Sequence, residues 1–132
     1  MFEVIFLLGR ILYGGFFVIS ATKHFTHLSM MAQYAGSKNV PWPKFSVVFS
    51  GLFIFFGGLG ILFGVYTKLA LFLLVVFLFV VSFSMHNFWA IKDPLQKQIE
   101  MTNFLKNMAL LGAAAMLKWI PEPWPYSLTG YF

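Results

Sequence analysis

Apolar residues run almost unbroken through four stretches of this chain, and polar residues collect between them. Hydrocarbon about 30 Å thick needs roughly 20 apolar helical residues to cross it. The 19 residues between Glu3 and Lys23 hold one charge, Arg10. Phe45 to Thr67 gives 23 residues without a charge, and Leu69 to Met85 gives 17. Between Glu100 and Lys118 lie 17 more, with Lys106 their one charge. Lipid offers no partner to an unpaired backbone group, so runs of this length must be helical. The pattern predicts an all-α fold, an integral membrane four-helix bundle forming one domain over 1–132. Its helices fall at about 3–24, 45–66, 68–87 and 94–119, with a long loop over 25–44.

The connections are unequal. "VYTK" leaves almost nothing between the second and third segments and forces a tight antiparallel hairpin. In the long loop, Leu28 to Tyr34 suits a short interfacial helix, which Gly36 and the pair Pro41 and Pro43 break. "VVSFSMHNFWAIKDP" (80–94) stops a helix near Trp89–Ala90, and Asp93 with Pro94 reads as N-cap and first residue of the next. No small-residue cleavage site follows the first apolar run, which argues against a cleaved signal peptide.

Composition narrows the solvent. Charged residues make up 10% of the chain, against about 25% in soluble domains, and the mean hydropathy is +0.82. Eighteen Phe suit a surface bathed in acyl chains. Cysteine is absent, which excludes disulfides, thiolate-bound iron–sulfur clusters and Cys-type zinc sites. The net charge of +5 comes from scattered lysines rather than a basic arm, so nucleic acid is not an expected partner. Lys23, Lys38, Lys44, Lys92 and Lys97 flank the first and third loops, whereas Lys68 and Lys118 mark the other side. The positive-inside rule then places those loops in the cytoplasm and both termini on the outer side; the membrane expected is a bacterial inner membrane.

Polar residues inside the spans are costly and therefore informative. Arg10 has two readings: a snorkelling side chain at the outer interface, or a bundle-facing cation for an anion or a quinone oxygen. Glu100, Asn103 and Asn107 share one helical face, with Lys106 beside it. His24 ends the first span on the same side, and His86 and Asn87 end the third. These residues predict a polar vestibule between the first, third and fourth spans, opening to the cytoplasm, with Arg10 as its floor. Expected ligand-binding residues are thus Arg10, His24, His86, Asn87, Glu100, Asn103, Lys106 and Asn107. No catalytic residue is read, because neither a GxSxG elbow nor a Ser-x-x-Lys occurs. No metal is expected either: His24 and His27 have a workable spacing, but no third ligand converges. Gly60 and Gly64 read as a small-xxx-small packing pair.

Two stretches resemble the DoxX family. "GRILYGGFFVISATKHF" is similar to its opening helix at Arg10, Gly14, Ser20 and Lys23, with Ala21 standing where the family often has Gly. "MHNFWAIKDPLQKQIEMTNFLKNMALLGA" is similar to the third loop and fourth helix of one branch, at His86, Asn87, Phe88, Trp89, Asp93, Gln98, Phe104, Lys106 and Asn107. The resemblance implies a small four-helix membrane protein. Its namesake is a membrane subunit of a thiosulfate:quinone oxidoreductase, and other members look like membrane partners of soluble redox or detoxifying enzymes. The expectation is a membrane subunit holding a quinone or a small anion, with no covalently bound cofactor. Its partners beyond the bilayer would be a soluble oxidoreductase or a second copy of itself. A non-catalytic scaffold docking a soluble enzyme and a small solute carrier are the alternatives.

Overall fold

The chain changes direction where proline, glycine and polar residues interrupt the apolar runs. The computed structural model describes residues 1–131 and contains five helices. These are α1 (Phe2–Thr26), α2 (Leu28–Ser37), α3 (Pro43–Phe63), α4 (Thr67–Met85) and α5 (Pro94–Leu117). Short 3-10 turns follow at Phe88–Ala90 and Leu128–Tyr131, and no strand occurs among the described residues.

Three helices, α1, α3 and α4, are long and apolar enough to cross a membrane, and the molecule is an integral membrane protein. α5 has 24 residues, but Gln96, Lys97, Gln98, Glu100 and Asn103 crowd its first half. That polarity keeps it out of the same class. The long first loop is largely helical, because α2 follows α1 with only His27 between them.

Local chemistry sets the ends. Pro43 and Pro94 occupy the first positions of α3 and α5, where a missing N–H costs nothing. Asp93 caps α5 by accepting a hydrogen bond from the Gln96 N–H at 2.9 Å. α3 ends at Gly64, whose φ of 68° is left-handed, and Tyr66 at 47° completes the reversal into α4.

α1 packs most extensively on α3, α3 on α4, and α4 on α5, while α2 lies against α3. The α1–α3 crossing is a backbone contact. A Cβ on Gly14 would lie 2.7 Å from the Gly58 oxygen, and one on Gly58 would lie 2.9 Å from the Gly14 oxygen. Around it sit the buried Phe17, Ala21, Ile54 and Ile61, continued by Leu74, Leu78 and Ala114. Gly60 and Gly64 do not form one packing surface: Gly60 receives Ala70 of α4, whereas Gly64 is the helix cap. On the outside, Leu12, Ile19, Phe56, Phe72 and Phe79 are all more than half exposed, as side chains solvated by acyl tails should be.

After α5 the chain folds back over the end of the bundle that carries the N-terminus and the α3–α4 turn. Trp124 is buried there, and Thr129 Oγ1 donates to the Gly64 oxygen at 2.6 Å. This terminal end and the opposite loop end are the two polar poles of the molecule.

Candidate functional site

At the terminal pole Arg10 is 2% exposed. Its Nε donates to the Ile61 oxygen at 3.1 Å, one terminal nitrogen donates to the Leu62 oxygen at 2.8 Å, and the other donates to the Pro125 oxygen. Ile61 and Leu62 lie in the last turn of α3, where carbonyls have no partner within the helix. A guanidinium suits that place, since its fork of donors fits several carbonyls and its charge opposes the helix dipole. Trp124 lies 5.8 Å from the guanidinium carbon. Thr67 donates to Glu122 nearby. Arg10 therefore ties α1, the end of α3 and the C-terminal segment together.

The loop pole is built differently. His86 and Asn87 follow α4 directly, and the Phe88–Ala90 turn presses Phe88 and Trp89 onto Phe104 of α5, with centroids 5.5 and 5.6 Å apart. Phe104 is four residues past Glu100 on α5, so this aromatic clamp sets His86 beside Glu100. His86 Nδ1 donates to Glu100 Oε2 at 2.5 Å. Tyr34 of α2 donates its phenolic proton to Glu100 Oε1, and Gln96 Nε2 adds a contact at 3.3 Å. A 2% exposed carboxylate thus takes donors from three places in the chain. Burial alone pushes the Glu100 carboxyl up, but Tyr34, His86 and nearby Lys38 more than offset it and hold it below its ordinary value. Burial, then the hydrogen bond and the charge of Glu100, push the Tyr34 phenol up, so Tyr34 keeps its proton.

Beside this cluster opens a groove of about 980 Å³, bounded by α2, α3 and α4 with the end of α1. Its walls are mainly apolar, with Phe45, Phe49, Phe53, Phe77 and Val80 among them. Its polar lining includes His24, Tyr34, Lys38 and Asn87. Lys38 Nζ lies 3.4 Å from Asn87 Oδ1 and 5.8 Å from the Tyr34 ring centre. His24, 9% exposed, donates from Nδ1 to the Ser20 oxygen at 2.8 Å. That leaves Nε2 as the acceptor of its neutral form. Such a volume, apolar with a few converging polar groups, is what a small-molecule site requires.

The expected site residues divide. His24 and Asn87 line the groove, and His86 and Glu100 stand behind it through Tyr34. Asn107 is buried with Glu100 and Ala114 on one stripe of α5, and Asn103 is half-buried, but neither joins the Glu100 cluster. Lys106 is exposed, its amine 5.6 Å from the Phe16 ring centre. Arg10 lies at the far pole. His24 packs on Gly51 and Arg10 on Gly64, and those glycines are thirteen positions apart along α3 and its cap, about 20 Å at 1.5 Å per residue. The space between α1, α4 and α5 is not where the groove opens, because α2 folds back over α3 and walls off the side of α4 instead.

Tyr34, Lys38 and Gln96 belong to this pole and were not among the expected residues. Gln96 had a readable signal, lying one turn before Glu100 on the same helix. Tyr34 had none, since its partner is 66 positions away. Among the described residues no group of three His, Asp or Glu side chains converges as a metal site would.

No curated protein and no solved structure matches the chain. A family model, DoxX, matches residues 5–87, which takes in α1 to α4 and ends at Asn87.

Proposed function

The chain belongs to the DoxX family, and from that premise we propose that it is a membrane subunit of a redox system that holds a quinone-like ligand in the loop-pole groove. The observation that carries the reading is the groove itself: about 980 Å³ with apolar walls, and His24, Tyr34, Lys38 and Asn87 among its lining. A prenylated ring fits that division. Its tail would follow Phe45, Phe49 and Phe53, and its ring oxygens would meet the polar groups. A small anion would use Lys38 alone and leave the aromatic walls without a role.

The reading includes a fourth membrane crossing between Glu100 and Lys118, with the loop pole in the cytoplasm of a bacterial cell and both termini outside. Its support is the apolar second half of α5 and the lysines at the loops. Electrons would come from a soluble oxidoreductase docked at the loop pole, since the chain has no cysteine and so no thiolate-bound centre of its own.

The test is organic extraction of the detergent-purified protein and mass spectrometry of the extract. Ser50 also lines the groove; stoichiometric isoprenoid quinone or quinol from the wild type, reduced at least tenfold in a groove-filling Ser50→Phe variant that keeps its thermal transition, supports the proposal. Equal recovery from both proteins, or none from either, contradicts it.

A further inference from the structure

The hydrogen bonds behind the groove have a direction, and that direction selects the ligand's head. A phenol owns one proton to donate and lone pairs to accept with. Glu100 is surrounded by donors, with Tyr34 and Gln96 on Oε1 and His86 on Oε2. Three donors around a buried carboxyl are compatible with its ionised form, which only accepts. The Tyr34 proton is therefore committed to Glu100, and what Tyr34 has left to offer the groove is an acceptor. In its neutral form the His24 ring, whose Nδ1 proton is committed to the Ser20 oxygen, likewise offers an acceptor at Nε2. The lining also holds donors, at Lys38, loosely engaged with Asn87 at 3.4 Å, and at the side-chain amides of Asn39 and Asn87, whereas the Ser46, Ser50 and Ser84 hydroxyls are committed to backbone oxygens.

We propose that the groove prefers a ligand head bearing a hydroxyl donor, a phenol or quinol, over the matching head that can only accept. This rests on the groove being a ligand site, and adds which form of the ligand it favours. The hydroxyl donates to the Tyr34 oxygen, Tyr34 donates to Glu100, and Glu100 is held by His86. The chain runs from the groove through its wall to the turn after α4. A carbonyl or ether at the same place meets a lone pair facing a lone pair unless Tyr34 abandons Glu100, which would leave a buried carboxylate short of a donor.

The test compares 4-nonylphenol with its methyl ether, 4-nonylanisole, by calorimetric titration of the detergent-solubilised full chain. The two share tail and ring and differ in the donor proton. The expected result is about tenfold tighter binding of the phenol to the wild type, the size of one hydrogen bond, and equal affinities for Tyr34→Phe. Gln at position 100 can donate to Tyr34 as well as accept from it, so Glu100→Gln is expected to narrow the preference. Equal affinities in the wild type, or a preference that survives Tyr34→Phe, overturn the inference while leaving the groove a ligand site. Binding of neither probe overturns the groove reading with it.

Discussion

Tyr34 on α2 and Glu100 on α5, 66 positions apart in sequence, are joined by a hydrogen bond that closes the loop end of the bundle. α2 is short and packs mainly on α3, so this bond links it to the far helix and fixes one wall of the groove. On the proposed reading of the groove, ligand binding would be coupled to whether Glu100 is ionised.

The pH dependence follows from that coupling. A carboxyl whose folded pKa is depressed contributes stability above its unfolded pKa, and that contribution is lost as pH falls through the folded value. Glu100 is depressed. Acidification below the ordinary carboxylate range should lower the thermal midpoint of the wild type, and Glu100→Gln should show a flatter acid limb. Differential scanning fluorimetry in detergent from pH 7 to 3 measures both; parallel acid limbs would count against the role given to Glu100.

Arg10 makes a prediction of opposite character. Its guanidinium satisfies the Ile61, Leu62 and Pro125 oxygens at once. Arg10→Met should destabilise the fold by about 1–3 kcal/mol through buried acceptors left unpaired. Arg10→Lys, with a single ammonium, should recover only part of that. Neither should alter the phenol preference in the groove at a temperature where the fold persists. Thermal unfolding together with probe titration separates the two effects.

Glycines of the first helix are not equivalent. Gly14→Ala drives a methyl into the backbone of α3, 2.7 Å from the Gly58 oxygen and 2.9 Å from the Leu62 nitrogen, and backbone cannot step aside as a side chain can. Gly9 and Gly15 have nothing within 4 Å of an added Cβ. Gly14→Ala should lower the thermal midpoint by several degrees, while Gly9→Ala and Gly15→Ala should leave it unchanged or raise it slightly. A tolerant Gly14 would mean that α1 and α3 cross farther apart than described.

The lack of native cysteine makes orientation directly measurable, because single introduced cysteines report without background. Cysteines at Lys38 and Lys92 should be shielded from a membrane-impermeant maleimide in intact cells, and cysteines at Lys68 and Lys118 labelled. The reverse pattern would invert the topology, and labelling of Lys92 and Lys118 on one side would remove the fourth crossing.

How much of this was legible in the sequence depends on the kind of partner each residue has. The all-helical membrane character was legible because apolar runs of that length leave the backbone no other arrangement. The loop pole announced itself through Glu100 and His86, whose side chains are unusual beside a span. Arg10 could be marked as a costly cation but not placed. Its partners are carbonyl oxygens of Ile61, Leu62 and Pro125, and a carbonyl leaves no mark in a sequence. Tyr34 was invisible for a related reason: a single tyrosine on a short interfacial helix looks like a membrane anchor until the fold brings Glu100 to it. The covering of the terminal pole by residues after α5 was equally unreadable, since Trp124 and Thr129 have no periodicity to betray what they touch.

The most direct measurement is photocrosslinking with a diazirine-bearing alkylphenol, mapped by peptide mass spectrometry. Adducts on Phe45, Phe49, Phe53 and Phe77, competed away by 4-nonylphenol, are the predicted result. Adducts confined to a separate hollow near the terminal pole, lined by Phe56, Leu59 and Leu69, or spread evenly over the lipid-facing surface, would contradict a ligand site at the loop pole.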